Sequence, residues 1–288
     1  MIKSYIKLDK VEKSLVCDFV NRNIEEKKTL NEVDEMFNNK VYDYGNGALF
    51  YFRSGKVLGR INIVLEVAQQ LGTTYIHFLD IEDSSNEKEM IIKNLIEEAI
   101  TIANLYNAKE IYLGERNEDR LKLLEKLGFH IDYRAIRMYL EDRDKKIECL
   151  DLIPLTQENK QEYQRVYNDS FSDMPHGSYV DIDGVQEYLK KADEENYYFF
   201  VSYNSINIGF MDCTIKNGEG SFDIGLCKPY RGRGFGRMLL ETAIEFLNKK
   251  EVNKIGLLVI ERNSVAYNMY KKRGFKVDSI FSNWIKLK

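Results

Sequence analysis

Between Gly234 and Lys249 the apolar residues Leu239, Leu240, Ala243, Ile244 and Leu247 recur three and four places apart, which predicts a helix with one buried face. Upstream, Tyr197 to Tyr203 and Ile206 to Ile215 read as strands joined by a tight turn at Asn204-Ser205, and Asn217-Gly218 leads into a third strand, Ser221 to Cys227. Glu148 to Pro154 reads as a first strand. Thr156 reads as the N-cap of a helix that carries Tyr163, Val166, Tyr167 and Phe171 on one side, and a second helix follows from about Gly184 to Ala192. Downstream, Lys254 to Ile260 reads as a strand, Ser264 to Lys272 as a helix stopped by Gly274, and Phe275 to Ile280 as a last strand or hairpin. The first half gives the same order. Its strands are Ala48 to Phe52 and Val57 to Glu66, turned at Ser54-Gly55, then Thr74 to Leu79. A helix carries Ile91, Ile92, Leu95, Ile96, Ala99 and Ile100, followed by a strand at Ile111 to Leu113 and a helix at Leu121 to Lys126.

That similarity of order is matched by short identities. Glu115-Arg116-Asn117 returns as Glu261-Arg262-Asn263, and Lys126-Leu127-Gly128-Phe129 as Lys272-Arg273-Gly274-Phe275. Both lie at one offset, 146 residues, the distance from Asn117 to Asn263 and from Gly128 to Gly274. Two matches at one offset point to two copies of one fold. The expected boundary is the charged stretch Glu141 to Lys146, read as a solvated linker, which gives domains 1–145 and 146–288. A chain of 288 residues fits about two domains.

Composition narrows the function. A hydrophobic share of 44% is enough for a core in each half. The net charge of −4 offers no surplus for a phosphate backbone, so nucleic acid is not the expected partner. Cys17, Cys149, Cys213 and Cys227 form no close pair and have no histidine beside them, so no metal site is expected. Charges interrupt the first ten residues and no apolar run is long enough to span a bilayer, which predicts a cytoplasmic protein with reduced thiols.

Chemistry concentrates at Arg231-Gly232-Arg233-Gly234-Phe235-Gly236-Arg237, between a strand and a helix. Strand, glycine turn, helix presents bare backbone N–H groups at the positive end of a helix, and glycines let a pyrophosphate approach the backbone. Arg231, Arg233 and Arg237 add positive charge. A dinucleotide-binding turn would read GxGxxG where this one reads GxGxG, and the chain after Glu261 is too short to finish such a sheet.

These residues resemble the R/Q-x-x-G-x-G/A signature of the GNAT N-acetyltransferase superfamily. Asp223-Ile224-Gly225-Leu226 resembles that family's fourth strand. Asn263, Ala266 and Tyr270 ahead of Gly274-Phe275 resemble its second signature. Pro229 stands one place later than the family's usual proline. The resemblance covers about Glu148 to Lys288. It implies acetyl-CoA as cosubstrate and splayed fourth and fifth strands between which the pantetheine lies against the backbone of Ile224, Gly225 and Leu226. It implies pyrophosphate on the amides of Gly232 to Arg237, Asn263 on the pantetheine or acetyl end, and Tyr270 as donor of a proton to the leaving thiolate. The last role is also sound chemistry. A phenol of pKa about 10 is protonated at neutral pH and can protonate a thiolate whose conjugate acid has a pKa of about 8.5. Asp223, on the strand entering the site, is the candidate base. Asp181, Asp183, Glu187 and His176 lie in the region that borders the acceptor pocket in this family, and Tyr267 is expected to pack.

At the same offset the first half has Ser85-Asn86-Glu87-Lys88-Glu89-Met90 in place of the glycine turn and Leu124 in place of Tyr270. It reads as a degenerate GNAT-like domain without coenzyme. It could complete an acceptor pocket, form an interface or bind another ligand. The fold class expected is α+β, two tandem domains, each a mixed and mostly antiparallel sheet flanked by helices. The expected activity is acetyl transfer from acetyl-CoA to a primary amine of a small molecule or peptide, with a homodimer left open. Tandem mycothiol synthases show one variant of such a substrate. The alternative is a catalytically silent acyl-CoA-binding regulatory module.

Overall fold

Paired strands and capped helices make up most of the chain in the computed structural model, which describes residues 1–82, 87–144 and 147–288. Two units divide it, Met1–Tyr133 with Ser282–Lys288, and Arg134–Phe281.

The first unit contains β1 (Ile2–Ser4), α1 (Lys10–Asn21), α2 (Leu30–Phe37), β2 (Ala48–Arg53), β3 (Lys56–Val64), α3 (Ala68–Leu71), β4 (Thr73–Ile81), α4 (Lys88–Leu105), β5 (Glu110–Glu115), α5 (Glu118–Lys126) and the start of β6 (Ile131–Leu140). Its sheet runs β1-β2-β3-β4-β5, antiparallel except for the parallel β4–β5 pair. Ile91, Ile92, Leu95, Ile96 and Ala99 of α4 pack on Leu49, Ile61, Ile63 and Ile76, a single stripe meeting alternate strand residues. The hydrophobic pattern assigns nothing before Ala48, yet α1 and α2 each begin with a capping box, Asp9 with Glu12 and Thr29 with Glu32. Each such cap contributes about 1 kcal/mol.

The second unit contains the rest of β6, then β7 (Asp151–Pro154), α6 (Lys160–Phe171), α7 (Ile182–Lys191), β8 (Asn196–Tyr203), β9 (Ile206–Lys216), β10 (Glu219–Leu226), α8 (Phe235–Lys249), β11 (Lys254–Ile260), α9 (Ser264–Arg273) and most of β12 (Phe275–Lys286). Strand order is β6-β11-β10-β9-β8-β7, antiparallel except for β10–β11. The hairpin turns are as expected: Asn204 and Ser205, and Asn217 and Gly218, all have positive φ. Leu239, Leu240, Ala243, Ile244 and Leu247 of α8 pack against Met211, Cys213 and Phe222 on one face of the sheet. On the other face Tyr163, Val166 and Tyr167 of α6 and Val185 of α7 pack against Phe200 and Phe210.

Several boundaries differ from the pattern's expectation. The units divide at Tyr133, ahead of the charged stretch whose Lys145 and Lys146 lie outside the described residues. The reason is tertiary pairing. Ala135 to Leu140 form an antiparallel ladder with β11, while Asn283 to Lys286 of β12 pair with β5. A sequence window sees the continuity of a strand but not the sheet it joins. The helix expected from Thr156 starts at Lys160, and the Thr156 N–H donates to Asn159 Oδ1 at 2.8 Å. Asp181 caps α7, accepting from the Gly184 N–H at 2.9 Å, so that helix begins at Ile182. Among the described residues no helix is long and apolar enough to cross a membrane.

Candidate active site

The parallel ladder between β10 and β11 is short. It joins Glu219, Gly220 and Ser221 to Lys254, Ile255 and Gly256, and it stops there. From Phe222 onward β10 pairs only with β9, through Leu226 opposite Gly209. The two strands therefore part toward their C-terminal ends and, among the described residues, leave one edge of β10 without a strand partner. The Cys227 N–H donates to Ile208 O at 2.8 Å, so by the two-residue alternation of an antiparallel ladder Gly225 and Asp223 also turn their backbone to β9. Ile224 and Leu226 turn theirs to the open wedge. Gly225 is required where it stands, because a Cβ there would meet Phe210 Cε1 at 2.6 Å and Ser170 Cβ at 3.0 Å.

At the mouth of that wedge the chain makes a single turn, Lys228–Tyr230, and then enters the glycine sequence. Gly232 and Gly234 have φ of +73° and +90°, a region L-residues enter only with strain, and a Cβ on either would face open space. Gly234 is the N-cap of α8 and brings no side-chain cap. The Arg237 N–H donates back to Gly234 O at 3.1 Å. Among the described residues no acceptor is bonded to the amides of Gly232 to Gly236. Unsatisfied donors at the positive end of a 15-residue helix, with no Cβ in front of them, have the form of an anion cradle. The Arg233 and Arg237 side chains are exposed beside it, and Phe235 packs between Tyr203 and Tyr230 at 4.9 and 6.2 Å between ring centres.

Arg231 is spent differently from expectation. Its guanidinium donates to Leu226 O, Asp169 O, Ser170 O and both carboxylate oxygens of Asp173, all at 2.9 to 3.1 Å. It ties the turn to the last carbonyls of α6, and the hydrogen bond from Arg231 holds the Asp173 carboxyl below the usual range. Its positive charge therefore stays near the turn, while its donors hold the loop in shape.

Asn263 caps α9, its Oδ1 accepting from the Ala266 N–H at 3.2 Å. Among the described residues its Nδ2 meets only Met174 Sδ, at 4.0 Å, and so keeps donor capacity. One helical turn beyond Tyr267, Tyr270 is buried against Phe222 and Phe275. Burial and the nearby charge of Asp223 push its phenol above the usual range. Asp223 is open to solvent, yet enough of the molecule surrounds it that desolvation raises its carboxyl. Tyr270 thus lies close enough to Asp223 to feel its charge.

A further carboxylate sits beside them. Asp212 of β9 stands directly across the ladder from Asp223, and on its other side Tyr198 of β8 is its partner. The Tyr163 hydroxyl of α6 donates to it. Burial and the charge of Asp223 raise the Asp212 carboxyl well above its ordinary value. The signal for this residue was an acid in the middle of an otherwise apolar run, Gly209-Phe210-Met211-Asp212-Cys213.

In the first unit, β4 likewise leaves β5 after Ile76. At the 146-residue offset the counterpart of Asp223 is His77, which burial lowers to about 4, and that of Tyr270 is Leu124, fully buried in the core. Of the expected counterpart of the glycine turn, Ser85 and Asn86 lie outside the described residues. Glu87 pairs with Arg53, and Glu89 with Lys126 at 2.6 Å. Carboxylates committed to cations stand where the second unit has bare amides.

Residues 155–275 match the model of the acetyltransferase (GNAT) family. Among curated proteins, the chain is 29% identical over 109 residues to an uncharacterized N-acetyltransferase of Methanocaldococcus jannaschii, covering 35% of this chain and 48% of that protein. It is 37% identical over 82 residues to a ribosomal protein bS18-alanine N-acetyltransferase of Haemophilus influenzae, covering 28% and 56%. The chain thus spans about half the length of these relatives. Among solved structures, a GCN5-related N-acetyltransferase from Sphaerobacter thermophilus covers 99% of this chain and 94% of its own at a TM-score of 0.57 and 12% identity. A probable N-acyltransferase from Enterococcus faecalis covers 99% and 71% at 0.66 and 10%. At such identities these two speak for the fold alone, over the whole chain.

Proposed function

We propose, from the premise that residues 155–275 are a domain of the acetyltransferase (GNAT) family, that this domain moves an acetyl group from acetyl-CoA to a primary amine. The observation that carries the reading is the run of unsatisfied amides from Gly232 to Gly236, placed where the unpaired edge of β10 opens beside Tyr270 and Asp223. The residues present fit the coenzyme. The amides and the helix end suit a pyrophosphate, and the exposed Arg233 and Arg237 add charge. The edge of Ile224 and Leu226 suits an amide-bearing pantetheine arm laid as a pseudo-strand. The Asn263 Nδ2 supplies a donor near its reactive end.

Bound there, the coenzyme supplies an activated acetyl thioester. Asp223 takes a proton from the incoming ammonium, which leaves a neutral amine. A raised carboxyl pKa makes Asp223 a stronger base than an ordinary aspartate. The amine nitrogen forms a bond to the acetyl carbon as the carbon–sulfur bond breaks, and Tyr270 gives its phenolic proton to the departing sulfur. The second ammonium proton passes through water to restore the phenol and Asp223 returns its proton to solvent, so the products are amide, free thiol and one released proton. A phenol lifted by burial is fully protonated at neutral pH and a weaker acid than a free tyrosine, so it gives its proton only as sulfur takes on charge.

The test is a thiol-release assay with a panel of primary amines on the full chain and on Tyr270→Phe. Amine-dependent release, lost in large part in the variant while acetyl-CoA binding persists, is the predicted result. Binding without release for any amine would assign the chain instead as a silent acyl-CoA-binding module.

A further inference from the structure

Asp212 and Asp223 are cross-strand neighbours, which puts their Cβ atoms about 5 Å apart on one face of the sheet. Like charges directly opposed on a ladder are destabilising. Among the described residues no lysine, arginine or histidine pairs with either carboxyl. Tyr163 of α6 bonds Asp212 and Tyr198 of β8 pairs with it across the ladder, while Tyr167 of α6, Tyr188 of α7 and Tyr270 of α9 lie within electrostatic reach of the pair. Cys213 senses both charges from the neighbouring position on β9. The Tyr188 and Tyr198 rings stack at 4.7 Å and 5°, and Tyr167 sits 6.3 Å from Tyr188. Two uncompensated acids walled by electron-rich rings describe a place that lacks a cation.

Resting on the acetyltransferase reading, we infer that Asp212 and Asp223 act as one proton-sharing pair and that the acceptor is a cationic alkylamine with no carboxylate beside the reacting nitrogen. The pair carries one negative charge when it shares a single proton, with the Tyr163 hydroxyl bonded to Asp212 holding that side in place. One ammonium neutralises it. As the ammonium hands a proton to Asp223, the dyad becomes doubly protonated and neutral, and the amine becomes neutral with it. An acceptor carrying a carboxylate next to its amine would bring a third acid into a face that already holds two without a countercharge. Asp212 is thus a positioning residue, acting through Asp223.

The experiment observes carboxyl carbons by NMR in the full chain with acetyl-CoA, using aspartate labelled at the carboxyl, while pH is varied. Asp223, assigned by Asp223→Asn, should titrate above the ordinary aspartate value of about 3.9. Its midpoint should rise in Asp212→Asn, which removes the proton that the pair shares, and saturating β-alaninamide should lower it in the wild type while β-alanine leaves it in place. In turnover, kcat/KM for β-alaninamide should exceed that for β-alanine at least tenfold, and the pH limb of kcat/KM should move with the Asp223 midpoint in Asp212→Asn. An Asp223 midpoint that ignores Asp212→Asn, or equal responses to the two amines, would overturn the inference even where acetyl transfer persists. Absence of acetyl-CoA binding would instead overturn the reading beneath it. Tyr163→Phe, which keeps both carboxyls, should shift the same midpoint if Asp212→Asn proves unstable.

Discussion

Two versions of one arrangement lie in this chain. In both units a strand parts from its parallel neighbour, a helix follows it, and an asparagine-capped helix closes the motif. Asn117 Oδ1 accepts from the Arg120 N–H and Asn263 Oδ1 from the Ala266 N–H, and the helices end at Gly128 and Gly274 in the left-handed region. The short identities shared by the halves are therefore cap signals, and they preserve architecture. At the positions of the proposed site the halves differ, with glycines at Gly234 and Gly236 beside Glu87 and Glu89 in the first half, and at the same offset His77 for Asp223 and Leu124 for Tyr270. On the proposed reading the first unit keeps the capping and packing while only the second carries the groups of the site.

The comparison breaks most sharply at the turn. Gly234→Glu with Gly236→Glu puts two side chains and two negative charges over the open amides, and acetyl-CoA affinity should fall about a hundredfold or more, equivalent to ~2.7 kcal/mol, by calorimetry. Replacing Glu87 and Glu89 with glycine should create no second site. Next comes the acid. Tyr270→Phe should lower kcat by about 10²-fold or more with acetyl-CoA binding unchanged. Leu124→Ala should leave kcat alone and instead cost roughly 2–5 kcal/mol in denaturant unfolding, as a core truncation does.

The base separates the halves by pH. Asp223 must be ionised to accept a proton, and its pKa is raised, so kcat/KM should climb with pH along a limb that lies above the usual aspartate value. Asp223→Asn should remove that limb and slow turnover, whereas His77→Asn should not move it. The same shift has a sign for stability. A carboxyl whose folded pKa exceeds its unfolded value costs nothing below the unfolded pKa and an increasing amount as pH rises through the folded one. Asp212→Asn should therefore raise the melting temperature near neutral pH, and the gain should shrink toward pH ~4. The smallest effects distinguish the arginines. Arg231→Ala should lower stability by about 1–3 kcal/mol through lost charged hydrogen bonds, while Arg233→Ala should leave melting unchanged and weaken coenzyme binding a few-fold, more so at low salt.

Much of this was legible in sequence because it is local. Turn residues at Asn204-Ser205 and Asn217-Gly218, the stripe of α8 and the glycines between β10 and α8 each carry their meaning within a few residues. The capping boxes of α1 and α2 were equally local, though a search by hydrophobic period passes over them. Partnership was not legible. That Ala135 to Leu140 join β11, that Arg231 spends its donors on α6, and that Asp212 faces Asp223 all depend on register between segments far apart in the chain. Asp212 in particular is an ordinary polar residue until β9 and β10 are aligned.

The central claim is that one half of the chain binds the coenzyme and the other does not. Isothermal titration of acetyl-CoA into the full chain measures this directly. The account predicts one site per chain, abolished by the paired glycine substitutions. Two sites per chain, or one that survives those substitutions, would contradict it.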